Sequence, residues 1–429
     1  MRKYREQQSR RAAATKSFAS GVLVATVLVA GVLVAALGGL FNLGAAAPAT
    51  EPIPVEVVRA PDVVRTLPPD PVSPEVEFTV ITAGDTLTHM GVNASARTGG
   101  ELDFVPLMAG INPFVQGADL ALCHLEVPVA PEGTALSGYP MFNGAPELIR
   151  DLQLSGWHGC SLASNHTVDR GFTGLESTIN YLEQNGMGWA GSARTEAESE
   201  VTQLYVLEKE NRSVTVAHLS ATFGLNGLPV PAGKPWSVEL IDTDRLIAQA
   251  NTVRQAGADI VLASIHCCVE YVTEPTAEQV SLATILAESG VIDAVIGHHA
   301  HVPQRVEILP GGPENRGMPV AYGLGNFLSN QDANCCVAAT ESGQMVTYNI
   351  LVDDDGPRVT GIEWTAITTD TRNHRLYPLA TNPDGVGYLS SAQVAARYAR
   401  AKEAATELVP ERTEPGTDGS AVVTVLPRS

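Results

Sequence analysis

Through the middle of the chain, short runs of Val, Ile, Leu and Ala alternate with longer stretches in which apolar residues recur at helical spacing. Runs near residues 76–83, 118–123, 157–163, 213–219, 259–265, 291–296, 319–324 and 343–353 have the length and β-branched content of buried strands. Amphipathic segments long enough for a helix separate several of them, and such alternation predicts an α/β fold. Thr273 and Pro275 ahead of AEQVSLATILAESG, and Asp242 or Thr243 at DRLIAQANTVRQAG, are helix-start signals, with Gly290 and Gly257 as stops. Toward the C-terminus strand follows strand, including VTGIEWTAITTD, which predicts a second, antiparallel portion packed against the first.

Six of the apolar runs end in residues able to bind a metal or carry a proton. VEFTVITAG leads to Asp85, ADLALC to His124 and Glu126, HGCSLAS to Asn165 and His166, DIVLASI to His266, VIDAVIG to His298, His299 and His301, and VAYGLG to Asn326. In an open α/β sheet the carboxyl ends of the strands face one crevice, so these endings are expected to converge. Carboxylate, Asn amide and neutral imidazole together suit a divalent Mn, Fe or Zn ion. A lone histidine is ordinarily a loop hydrogen-bonding group; recurrence at several strand ends points to a metal centre.

On a continuing strand His299 and His301 would share a face and His298 would point away. Asp169 follows His166 by three residues, a spacing at which a carboxylate can hold the imidazole in one tautomer and make His166 a proton donor. N-capping of the next helix is the alternative role for Asp169. His218 ends a further strand without an evident link to the site, and His89, His158 and His374 read as ordinary surface or core residues.

The flanks differ from this core. Residues 1–20 carry Arg2, Lys3, Arg5, Arg10, Arg11 and Lys16 as a basic N-terminus. Gly21–Phe41 holds no charge, and at 1.5 Å rise per residue it spans about 30 Å, the thickness of a bilayer core. The positive-inside rule leaves the N-terminus cytoplasmic and everything after the helix outside, on the cell membrane. A cleaved signal peptide is the alternative, favoured by Ala45–Ala47, but its apolar core is usually only ~7–15 residues. Residues 42–75 read as a proline-rich stalk, 76–380 as the folded domain, and 381–429 as a C-terminal helix with a disordered tail.

The formal net charge is −20, and with the basic N-terminus set aside the remainder is near −25. So acidic a surface repels phosphate backbones and argues against a nucleic-acid partner. Two vicinal cysteine pairs, Cys267–Cys268 beside His266 and Cys335–Cys336 beyond Gly-Asn-Phe, allow a bridge from one pair to the other outside the cytoplasm. Cys123 and Cys160, inside strand-like runs, read as buried small hydrophobes.

The ordered set GD at Asp85, LExP at Glu126–Pro128, ASNHTVDRG at 163–171, HCCVEYVTEPTAEQ at 266–279, GHHAH at 297–301 and AYGLGNF at 321–327 resembles the CapA capsule-synthesis family, the poly-γ-glutamate biosynthesis proteins, over about residues 76–350. The resemblance implies a metallophosphatase-like two-sheet sandwich flanked by helices, with metal at the strand ends. It implies Asp85, Glu126, Asn165, His266, His299 and His301 as ligands of one or two ions, and His166, Asp169 and Glu126 as catalytic. The chain departs from that superfamily's Asp-x-His start by carrying Leu87, and has His124-Leu125-Glu126 where the family commonly has Asn-Leu-Glu, so His124 is a further candidate ligand. Ser164-Asn165-His166 stands for Asn-Asn-His, and His266-Cys267-Cys268 for His-Trp-Gly. The expected role is a membrane-anchored hydrolase acting on a cell-envelope polymer or precursor with the poly-γ-glutamate synthesis machinery; the alternative is a non-catalytic accessory module.

Overall fold

The computed structural model of the protein describes residues 74–417 and 419–428. The basic N-terminus, the apolar stretch Gly21–Phe41 and nearly all of the stalk lie outside the described residues. Among the described residues no helix is long and apolar enough to cross a membrane.

The principal strands, in chain order, are β1 (Val76–Thr86), β2 (Leu120–Leu125), β3 (Gly159–Ser161), β4 (Gly188–Ala190), β5 (Gln203–Lys209), β6 (Arg212–Thr222) and β7 (Ile260–His266). They continue as β8 (Ala294–His298), β9 (Val306–Leu309), β10 (Met318–Ala321), β11 (Ser342–Asp353), β12 (Gly356–Asp370), β13 (Arg375–Pro378) and β14 (Val422–Val425). They form two seven-stranded sheets, ordered β13-β12-β11-β1-β2-β3-β4 and β9-β10-β8-β7-β6-β5-β14. In the first, β1 to β4 run parallel; in the second, β6, β7, β8 and β10 do.

Side-chain alternation sorts the apolar residues between layers. Phe78, Val80, Leu120, Leu122, Val214, Val216, Ile260, Leu262, Ala294 and Ile296 fill the core between the sheets. Their neighbours Ile81, Ala121 and Cys123 face a second core under helices α1 (Pro146–Leu154) and α2 (Gly171–Gln184). Ala217, Val261, Ala263 and Val295 face a third core under α3 (Thr243–Gln255) and α4 (Ala277–Glu288). The result is helix, sheet, sheet, helix, with α5 (Ser391–Ala405) closing the inter-sheet core beside β11 and β12.

The helix punctuation has a local cause. Asp242 caps α3 by accepting from Arg245 N, and Gly257 follows at φ +101°. The cap of α4 is Thr276, one residue beyond Pro275, in a reciprocal capping box with Gln279; Gly290 follows at φ +68°.

Three expectations are corrected. The late antiparallel strands are no separate portion: β11 pairs with β1 over Val76–Thr82, so β11, β12 and β13 extend the first sheet. The two vicinal cysteine pairs do not bridge one another; each closes on itself, and Cys123 pairs with Cys160 across β2 and β3 at a Cα separation of 4.4 Å. Nor is the tail without structure, because β14 adds to the edge of the second sheet beside β5.

Beyond β14, Arg428 is buried and donates to the carbonyls of Trp189, Ser192, Glu198 and Val201. Hydrogen bonds from a charged donor contribute roughly 1.5–3 kcal/mol, and those of one side chain do not add in full. Arg428→Ala is therefore expected to lower unfolding stability by about 3 kcal/mol in urea titration. An unchanged midpoint would show that the tail is not docked in solution.

Candidate metal centre

The parallel strands of both sheets end at one rim, and face parity decides what they present there. His124 continues the inward series Leu120, Leu122; His266 continues Ile260, Leu262; His298 continues Ala294, Ile296. On β1 a register shift between Thr82 and Asp85 changes parity, which turns Asp85 to the same side as its partner His124. The end of β1 is stitched to the loop after β10 by Asp85 N–H to Gly325 O and Phe327 N–H to Asp85 O, both 2.9 Å. A Cβ on Gly84 would lie 1.9 Å from Gly325 O, so only glycine permits this approach.

After β8 the chain leaves strand geometry. His299 and His301 take φ of +82° and +55°, unusual for non-glycine residues and costing of order 1 kcal/mol each. The turn, rather than strand alternation, brings both imidazoles to the rim. The peptide N–H of His299 points to Asp85 Oδ1 and Oδ2 at 3.3 and 3.2 Å.

The cluster is dense and almost wholly buried. His301 Nδ1 lies 3.0 Å from Asp85 Oδ2 and 3.1 Å from Asn326 Oδ1, while its Nε2 faces Glu126 Oε1 at 3.7 Å. His266 Nε2 lies 2.9 Å from Asn165 Oδ1 and 3.9 Å from Glu126 Oε1. His266 Nδ1 meets His124 Nε2 at 3.0 Å, and the rings of His124 and His298 stack at 3.9 Å across the two sheets. Asp85, His124 and His266, and likewise Glu126, His299 and His301, offer donor atoms all within 4.8 Å of one another.

Burial holds His124 and His266 well below the ordinary imidazole range, and neighbouring imidazoles add to it. His299 falls to about 3 for the same reason, helped by the charge on His301. Burial would raise Asp85, but hydrogen bonds from His298 and His301 outweigh it and keep its carboxyl well below the usual carboxylate range. Burial pushes Glu126 upward against the pull of His301. Burial would lower His301, yet the charges of Glu126 and Asp85 prevail and push it up to about 10.

Glu126 is fully buried with neither oxygen accepting a hydrogen bond from any described group, and His299 Nδ1 is likewise unpartnered. Burying such groups unpaired costs several kcal/mol, and the cost is relieved when a cation coordinates them. Carboxylate oxygen, amide oxygen and neutral imidazole nitrogen together fit a borderline divalent ion.

His166 sits beside this cluster in the turn after β3. Its Nδ1 donates to Asp169 Oδ2 at 2.7 Å, and the same oxygen accepts Phe142 N–H at 2.7 Å. Phe142 meets the ring edge-on at 4.8 Å, and Asn226 Nδ2 stands 3.5 Å from Nε2. Asp169 does not cap α2, whose N-cap Arg170 makes no side-chain cap bond. It fixes the His166 tautomer instead.

The structure thus gathers Asp85, Glu126, Asn165, His266, His299 and His301 at one rim with His166 and Asp169 adjoining. Of the other strand-end residues expected to converge, it also brings in His298, which strand alternation alone would have turned away, and Asn326, which orients His301. The inward parity of β2 and β8, continued by one more step, accounts for the placement of His124 and His298. Asn226 and Phe223, whose ring lies 4.5 Å from His299, come from a loop with no periodic signal. His218 bonds Ser264 at 2.8 Å deeper in the inter-sheet core.

Residues 79–331, more than half of the chain, match the family described as bacterial capsule synthesis protein PGA_cap. The chain belongs to this family. Among curated relatives of this capsule-synthesis family member, a probable polyglutamine synthesis accessory protein of Mycobacterium tuberculosis, found in strains CDC 1551 and H37Rv, is 25% identical over 222 residues, 50% of this chain and 56% of the relative. The chain therefore spans about half the length of the curated relatives it matches. Among solved structures it is similar to a Mycoplasma pneumoniae phosphatase (16% identity, TM-score 0.39, covering 68% of this chain and 94% of the other). It is also similar to a calcineurin-like phosphoesterase of Bacillus subtilis (12%, TM-score 0.40, 76% and 97%). Scores near 0.4 leave these as likenesses without weight for activity.

The buried imidazoles set an acid limit for this family member. A histidine whose folded pKa lies below its unfolded ~6.5 leaves stability untouched above that value and erodes it as pH falls toward the folded one, by about 1.4 kcal/mol per unit. His89 falls to about 4, and His218 and His299 to about 3, chiefly through burial. His301, raised, contributes fully below its unfolded value and so adds no slope there. Chelator-treated protein is expected to lose a few kcal/mol between about pH 6.5 and pH 5 in urea unfolding, the raised Glu126 and Asp293 carboxyls offsetting part of the histidine loss. Constant stability over that interval would contradict the neutral buried state of these rings.

Proposed function

We propose that the protein is a divalent-metal-dependent hydrolase of the metallophosphatase kind, serving synthesis or export of a capsule-type polymer such as poly-γ-glutamate. The observation that carries this reading is the buried, unpartnered Glu126 carboxylate facing His266 and His301. Asp85, Glu126, Asn165, His266, His299 and His301 would hold one or two ions, Mn, Fe or Zn. Such an ion supplies Lewis acidity, lowering the pKa of water toward ~7 and polarising a scissile oxygen.

The remaining chemistry belongs to the chain. His166, held through Nδ1 by Asp169, presents Nε2 to protonate a leaving oxygen. Asn226 braces both Asn165 and His166, and Phe223 and Tyr271 flank the imidazoles of His299 and His301. In this reading residues 21–41 anchor the protein in the cell membrane and the domain works outside the cytoplasm; the N-terminal sequence pattern and the pairing of all six cysteines support it.

A second reading, a non-catalytic accessory module binding polymer or synthesis partners, is favoured by the acidic surface, which would repel a polyanionic substrate, and by the word accessory in the name of the mycobacterial relative. Full-length protein assayed on p-nitrophenyl phosphate and its diester with and without Mn²⁺ separates the two. The hydrolase reading expects Mn²⁺-dependent turnover that falls by about 10²–10⁴ in His166→Ala. No metal-dependent turnover on any phosphoester selects the accessory role.

A further inference from the structure

We infer that His124 is a positioning residue, the orienting partner of His266 in a relay of four side chains, and takes no ion itself. The inference rests on the metal reading above. Both nitrogens of His124 are already engaged: Nε2 with His266 Nδ1 at 3.0 Å and Nδ1 with Ser161 Oγ at 2.8 Å. By contrast His299 keeps Nδ1 free, and His301 turns Nε2 to Glu126.

Donor accounting gives the relay a direction. Asn165 spends Nδ2 on Asn226 Oδ1, so the atom 2.9 Å from His266 Nε2 is the acceptor Oδ1. Asn165 Oδ1 and His266 Nε2, 2.9 Å apart, are the two atoms that would be offered to the ion. For His266 Nε2 to offer a lone pair there, its proton must sit on Nδ1 and be accepted by His124 Nε2. The His124 proton then sits on Nδ1 and is accepted by Ser161 Oγ, whose own hydrogen is directed at Cys123 O, 3.4 Å away. With the opposite tautomers every bond reverses: Ser161 donates to His124, His124 to His266, and His266 to Asn165. Without an ion only this second state satisfies all four side chains; the first sets two acceptors, His266 Nε2 and Asn165 Oδ1, against each other and is favoured when a cation takes both.

The ring of His124 is also clamped in plane by its stack on His298, 3.9 Å away and tilted by 13°, and it is fully buried. An imidazole ligand commonly depends on such a partner for its other nitrogen, and losing the partner weakens metal affinity about 10–100-fold. Here the usual carboxylate or carbonyl is replaced by a second imidazole, so the orientation of His266 depends on a group that can both donate and accept.

Mn²⁺ affinity of the full-length protein by calorimetry, together with the visible d–d spectrum after Co²⁺ loading, tests this. His124→Phe, which keeps the stack but removes both nitrogens, should weaken Mn²⁺ binding about 10–100-fold and shift the Co²⁺ bands. His124→Gln, whose amide oxygen can take the place of Nε2, should restore affinity to within about 3-fold with bands like the wild type, and Ser161→Ala should lose affinity several-fold while folding normally. Wild-type affinity and bands in His124→Phe overturn the relay. Equal loss in His124→Gln and His124→Phe overturns it too, by making His124 a direct ligand. A wild-type protein that takes up neither ion rejects the metal site itself, and the relay with it.

Discussion

A strand shows only every second side chain to one face, and the chemistry of this protein hangs on which face that is. The inward positions of β2 and β8 are apolar through the inter-sheet core and become histidine at the last step, as Leu122 gives way to His124 and Ile296 to His298, while on β7 the series Ile260, Leu262 passes through Ser264 before His266. One bulge on β1 brings Asp85 onto the same face. The candidate site is therefore the top layer of the core itself, continuous with the packing that stabilises the fold, and its side chains inherit that rigidity.

This placement explains the electrostatics. Groups at the top of a sandwich core lie away from water, so His124, His266 and His299 stay neutral and carboxylates need a cation nearby. Asp85 obtains one in His301 and several donors besides; Glu126 shares His301 and is otherwise bare. The strained turn at His299 and His301 is sustained because the loop after β10 is stitched to the end of β1 through Gly325 and Phe327, while Asn326 holds the His301 ring. Remote segments thus hold the His299 backbone through Asp85 and the His301 ring through Asp85 and Asn326.

Much of this was legible in the order of residues. The strand-end acids, amides and imidazoles could be picked out because each follows a recognisable apolar run, and Asp242 and the closing glycines of α3 and α4 were visible because capping is local. What stayed hidden is non-local. That β11 lies beside β1 depends on pairing across more than two hundred residues, as in Val76 with Val352, and no periodicity encodes it. The polar tail around Val422–Val425 looked unstructured because its stability comes from the exposed edge of β5 and from carbonyls that Arg428 finds in distant loops. The facing of His299 and His301 was reached from strand alternation, yet it comes from a turn with positive φ that only the surrounding contacts stabilise.

The account stands on the rim of both sheets being a cation site. Crystals grown with Mn²⁺ and measured at the manganese absorption edge test that most directly. The account predicts an anomalous peak about 2.0–2.3 Å from a Glu126 oxygen and from the imidazole nitrogens of His266, His299 or His301. A fully occupied Mn²⁺ bound elsewhere on the protein, with no peak at that rim and Glu126 paired instead to a protein group, would contradict it.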